Sequence, residues 1–162
     1  MKKFINFALC IGTILFLANW SKQNICSKYC NGTIFFDKDS SKKEELTDIK
    51  IGTSTEFNDN QEIPIFKKPE NNIKPEDYTE YKLNLDKVSS ITVDQNDPIF
   101  KSKDEEYVNI IITFLNQTSN NFIIQKNRKI IGKIKANGIV GIHSFLSIHK
   151  LAIESCTEKD KN

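Results

Sequence analysis

Over residues 107–114 every second side chain is large and apolar. Val108, Ile110, Ile112 and Phe114 fall on one side, and Tyr107, Asn109, Ile111 and Thr113 on the other. A period of two is the repeat of a β-strand. Four aligned side chains of this size, each worth about 1.5–3 kcal/mol when buried, predict a central strand. Shorter runs of the same kind surround it. Tyr81, Leu83 and Leu85 alternate with Lys82, Asn84 and Asp86, and Ile91 and Val93 form another run that Asp94, Gln95, Asn96, Asp97 and Pro98 end. Apolar runs at 122–124, 129–134, 139–143 and 145–153 follow, separated by turns rich in Asn and Gly. No amphipathic helix intervenes. Strands this short and this closely spaced predict an all-β fold, a β-sandwich over residues 78–156.

Residues 21–77 read differently. The stretch 37–45 is nearly all charged or hydroxyl-bearing, with room for one helical turn capped by Ser40 or Ser41. Ile49, Ile51, Thr53, Thr55 and Phe57 alternate as one exposed strand. Ile63-Pro64-Ile65-Phe66 fits a short edge strand, because proline cannot donate in a central one. Pro69, Asn71, Asn72 and Pro75 punctuate a loop. The segment is predicted to be a polar, partly irregular arm, and residues 157–162 a charged tail.

Residues 1–20 predict export. Met1-Lys2-Lys3 is a basic start, and residues 4–18 are apolar apart from Asn6 and Thr13. That is the layout of a secretory signal, with an apolar run short of the roughly 20 residues that cross a bilayer. Small residues are not found at both positions a signal peptidase prefers within 17–21, so an uncleaved membrane anchor is the alternative. Cys10 sits in the middle of the apolar run, the wrong place for a lipoprotein signal. Export places the rest of the chain outside the cell or in the lumen of the secretory pathway. There cysteines oxidise and Asn-x-Ser/Thr sites are glycosylated.

Beyond the leader lie Cys26, Cys30 and Cys156, an odd number that leaves one thiol over. A bridge from Cys156 to either of the others closes a loop worth roughly 4–5 kcal/mol in chain entropy. A Cys26–Cys30 bridge closes a small loop and contributes little. Cys-x₃-Cys with no second Cys or His pair nearby is a poor zinc site. Asn19, Asn31 and Asn116 each head a glycosylation tripeptide. Of these, Asn31 and Asn116 are the candidates, and Asn116 at the end of the strongest strand serves equally well as an Asx turn.

The charge pattern narrows the function. A net charge of +2 lacks the basic excess of a nucleic-acid-binding domain. The single Arg128 argues against bidentate recognition of phosphate or carboxylate. No Gly-x-Ser-x-Gly motif or phosphate-cradling glycine loop occurs, and the acidic residues are dispersed. His143 and His149, on one continuous strand, would stand about 20 Å apart, too far to share a metal. No carboxylate neighbours them in sequence. His149 shares a strand face with Phe145, Leu151 and Ile153, which makes it a core histidine or a polar group at the floor of a ligand pocket. No cofactor is implied.

The stretch 108–156 resembles the β-domain of the von Hippel–Lindau tumour-suppressor family. The likeness rests on Phe114-Leu-Asn116-Gln-Thr118, on Ile134 followed by Asn137-Gly138, on Ile142-His143-Ser144-Phe145, and on His149 before Leu151 and Ile153. The resemblance implies a β-sandwich whose surface binds an extended peptide, with Ser144 and His149 at the family's serine and histidine positions. Leu151 and Gly132 stand where the family has a tryptophan and a tyrosine, so its aromatic cage is missing. The combined expectation is an exported, non-enzymatic protein that binds a protein or peptide partner. One alternative is a small hydrolase or redox enzyme using His149 with Cys156 or Ser144. Another is a luminal subunit of a membrane complex, held by an uncleaved leader.

Overall fold

A computed structural model describes residues 28–53, 63–67, 78–102 and 104–158. The leader at 1–20, Cys26, the Asn19 tripeptide, Thr55, Phe57 and the loop at 69–75 lie outside the described residues, as do residues 159–162 of the tail. Eleven strands are formed: β1 (Lys28–Phe35), β2 (Lys43–Gly52), β3 (Ile63–Lys67), β4 (Glu80–Leu83), β5 (Val88–Val93), β6 (Ile99–Ser102), β7 (Glu105–Phe114), β8 (Ser119–Gln125), β9 (Lys129–Ile134), β10 (Val140–Ser144) and β11 (Lys150–Glu158). They join in one antiparallel sheet with the order β10-β9-β2-β1-β11-β5-β7-β8-β3-β4. Strand β6 pairs with the outer half of the β7 edge that β5 uses further along.

The all-β expectation is met. Ile34, Leu46, Ile49, Ile91, Ile112, Ile124, Ile130 and Leu151 are all at most 1% exposed, although they come from seven different strands. Among the described residues the helical ones are two single 3₁₀ turns, Leu85–Lys87 and Phe145–Ser147, too short to cover a sheet. A sheet face can then be dry only if the sheet covers itself. The sheet curls, and its inner face forms one core that includes Ile130 of β9 and Leu83 of β4 from its two ends.

The segment read as a polar arm contributes three of these strands. Strand β1 lies between β2 and β11, in the body of the sheet. Its inward residues are Cys30, Gly32 and Ile34, so it offers a hydropathy pattern only one large aliphatic side chain. Glycine is needed there: a Cβ at residue 32 would lie 2.1 Å from the carbonyl oxygen of Ala152 on β11. In β2 the register shifts between Thr47 and Lys50, and Asp48 takes a positive φ of 55°. This bulge changes which residues face inward, burying Leu46, Ile49 and Ile51, and the strand starts at Lys43 rather than near Ile49. No helical turn forms over 37–45. Asp37 instead accepts hydrogen bonds from the backbone N–H groups of Ser41 (2.9 Å) and Lys42 (3.1 Å) to close the β1–β2 turn.

Strand β3 is not an edge strand, since it runs between β8 and β4. Its ladder with β8 is confined to Phe66 and Lys67, and Pro64 lies beyond it. The strand expected over 145–153 begins only at Lys150. The Ser144 hydroxyl accepts from the Leu146 N–H (3.3 Å) and starts a 3₁₀ turn that buries Phe145. Strand β7 is flanked by β5 and β8, with Val108, Ile110 and Ile112 buried as their spacing predicts.

One pair of cysteines is bridged. Cys30 and Cys156 sit opposite each other on β1 and β11, with their sulfurs 2.04 Å apart and a sequence separation of 126.

Candidate functional site

Strand β10 ends the sheet: it pairs with β9 on one side, and among the described residues no strand pairs with the other. An open edge offers a row of unpaired N–H and C=O groups, which proteins usually protect with lysines, proline or inward charge. Strand β10 has no Lys, Arg, Asp, Glu or Pro. On or beside it stand Ile139, Val140 and Ile142, 62%, 52% and 54% exposed, three of the five most exposed large apolar residues described. The alternation explains the pattern. Val140 and Ile142 point outward, while Gly141 and His143 point to the inner side, Gly141 buried and His143 half-buried.

The inner side of this edge carries a close polar contact. Gly141 lies opposite Gly132 of β9, so neither strand has a side chain at that position. His143 reclines into the space: a Cβ on Gly141 would lie 2.8 Å from its Nε2. The same Nε2 is 2.8 Å from Oε1 of Glu44 on β2, and the side chains are 15% and 25% exposed. Both atoms are buried without an aligned hydrogen bond among the described residues, so this is a close polar contact rather than a well-directed bond. Phe36 meets the imidazole edge-on at 5.6 Å between centroids, and Lys42 Nζ lies 5.2 Å from the Phe36 ring centre.

Outside β9 and β2 the surface is ordered by ion pairs. Lys133 Nζ is 3.0 Å from Asp48, the bulge residue, and Lys135 Nζ is 2.8 Å from Glu45. The hydrogen bond from Lys135 holds the Glu45 carboxyl below its ordinary range, and the bond to Asp48 raises Lys133. A shallow groove of about 260 Å³ beside Asp48 and Lys133 is also lined by Tyr29, Ile131 and Val140, so it adjoins the edge strand.

Of the residues predicted from sequence, Ser144 is the last residue of β10 and so belongs to this edge. His149 is held by different contacts. Its N–H donates to Phe35 O (2.8 Å) and its carbonyl accepts from Val93 N–H (2.9 Å), tying the ends of β1 and β5. Its ring atom Nδ1 is buried with no hydrogen-bond partner among the described residues. The main chain of this histidine is satisfied and its ring is not. Cys156 is bonded to Cys30, so in this form it offers no thiol to His149. Asn31 lies within β1 at a register shift. Asn116 stands in the exposed β7–β8 turn, where its Oδ1 accepts from the N–H (3.1 Å) and hydroxyl (2.7 Å) of Thr118, an Asx turn.

Sequence reasoning missed Glu44, which is brought to His143 by the curl of the sheet across β9. It also missed the open edge, for which a signal existed: residues 136–149 contain no Lys, Arg, Asp or Glu in a chain that is 27% charged. Compared with protein-family models, curated proteins and solved structures, the chain matches none of them.

Proposed function

We propose that this chain is an exported, non-enzymatic interaction protein that takes an extended segment of a partner protein as an added strand along β10. The observation that carries the reading is the uncharged, one-sided edge bearing exposed Ile139, Val140 and Ile142. Strand addition draws affinity from main-chain hydrogen bonds and specificity from alternate side chains. Each such bond is worth about 0.5–1.5 kcal/mol net, so a five-residue strand needs its apolar contacts as well. Val140 and Ile142 supply them on the outer face, and Ser144 extends the same edge toward the 3₁₀ turn. The von Hippel–Lindau resemblance points to the same ligand type, an extended peptide, and to a sandwich formed by the curl of the sheet. The basic and apolar leader supports delivery to an extracellular or luminal partner.

The test uses the intact chain as bait in an extract of its native source, beside the double variant Val140→Lys, Ile142→Lys. Lysines on an open edge oppose strand addition and replace side chains that are already solvated. The expected outcome is a partner retained by the wild type and lost by the variant, with melting temperatures equal within error. The same partners on both baits would sink the proposal.

A further inference from the structure

Two of the three glycosylation tripeptides fall within the described residues, and their surroundings differ. Asn31-Gly32-Thr33 belongs to β1, a strand paired on both sides. The Thr33 hydroxyl there donates to Glu154 Oε1 (2.7 Å), and Thr33 is 6% exposed. Alternate residues of an extended strand are about 6–7 Å apart along the chain, which holds the hydroxyl away from the asparagine amide. Asn116-Gln117-Thr118 is exposed throughout, next to Leu115, which is 61% exposed. Its Thr118 hydroxyl contacts the Asn116 side chain at 2.7 Å, and Gln117 turns the backbone with φ 66°. Asn116 is exposed, and its Nδ2 donates no hydrogen bond among the described residues.

We infer that Asn116, in its locally closed turn, is an N-glycosylation site. The inference rests on the export reading, which brings the chain to a lipid-pyrophosphate-linked sugar donor. In the transfer, Asn116 Nδ2 bonds to the anomeric carbon of that sugar as the carbon–oxygen bond to the pyrophosphate breaks. The pyrophosphate leaves with the bonding pair, and Nδ2 gives up one proton. The turn is closed by short-range bonds, Gln117 N–H to Phe114 O and Phe114 N–H to Thr118 O, both 2.9 Å. It therefore assembles from a few neighbouring residues and does not wait for the rest of the sheet. A glycan there projects from the β7–β8 end of the sheet and shields Leu115.

The experiment translates the full chain with microsomal membranes, reading import by protease protection and modification by an endoglycosidase-sensitive gel shift. Wild type and Thr118→Ser should be protected and carry the same endoglycosidase-sensitive shift. Asn116→Gln and Thr118→Ala should be protected and should each run one glycan smaller than the wild type. A protected wild-type chain with no shift, or a shift undiminished in Asn116→Gln, overturns the inference while leaving export standing. A wild-type chain that is not protected overturns both.

Discussion

Gly32 shows how closely single positions are specified. A methyl group at this residue would meet a backbone carbonyl of the neighbouring strand, which cannot swing aside as a flexible side chain can. Gly32→Ala should therefore cost at least the usual 1–3 kcal/mol of overpacking, measured by denaturant unfolding. Gly138→Ala, in open space at φ 71°, should lose only the roughly 1–2 kcal/mol of a left-handed backbone. Tyr107 sets a pH limit. Burial, helped by a hydrogen bond to Glu105, pushes its phenol up to about 12 from 10.0. The neutral form is favoured in the folded state, so its contribution is complete below pH 10.0 and lost as pH rises toward about 12. Tyr107→Phe should flatten the stability profile over that window, and an unchanged profile would contradict the assignment. His149→Gln is informative for a different reason. The ring has a buried nitrogen without a hydrogen-bond partner among the described residues, while the main chain makes the bonds to β1 and β5. A core role predicts a loss of about 1–3 kcal/mol. A pocket role predicts unchanged melting with weaker partner binding.

Strand β7 is where sequence and structure agree best. Ile112 is fully buried between β5 and β8, and Ile112→Ala should cost about 2–5 kcal/mol in chemical denaturation. Lys135→Ala, an exposed change on the other side of the molecule's sheet order, should be nearly neutral. If both moved the denaturation midpoint equally, β7 would not be central. Strands rich in aliphatic residues were legible because burial writes a period of two into them. Strand β1 was not, because its place in the sheet is secured by a glycine and a cysteine, which contribute little to a hydropathy pattern. Strand β2 was misplaced because the bulge at Asp48 breaks the period that a pattern search follows. Ser144 was legible as a site residue, and the edge it belongs to was not. Whether a strand is terminal depends on pairings between distant segments, as does the meeting of His143 with Glu44. The disulfide was legible only as a set of options. The pairing of β1 with β11 selects Cys30 for Cys156. Replacing both by Ala should lower stability by about 2–5 kcal/mol, read from denaturation under non-reducing conditions.

At the scale of the whole molecule, the proposed leader and the sheet make separate demands. Edman or mass-spectrometric sequencing of mature protein should begin within residues 19–27, and recovery of Met1 would instead mark an anchored form. The sheet places its first described strand beside its last: β1 needs β11 on one flank, and Cys30 needs Cys156. A chain is synthesised from its N-terminus, so β1 arrives long before its partner. Until residues 150–158 follow, Cys30 has no mate, and the groove in β1 that Gly32 leaves for the Ala152 carbonyl stands empty. Non-local pairing of this kind is slow to form. Assembly must therefore wait for the end of the chain, and the half-made protein depends on its surroundings to keep an unpaired strand and an uncommitted thiol from finding the wrong company.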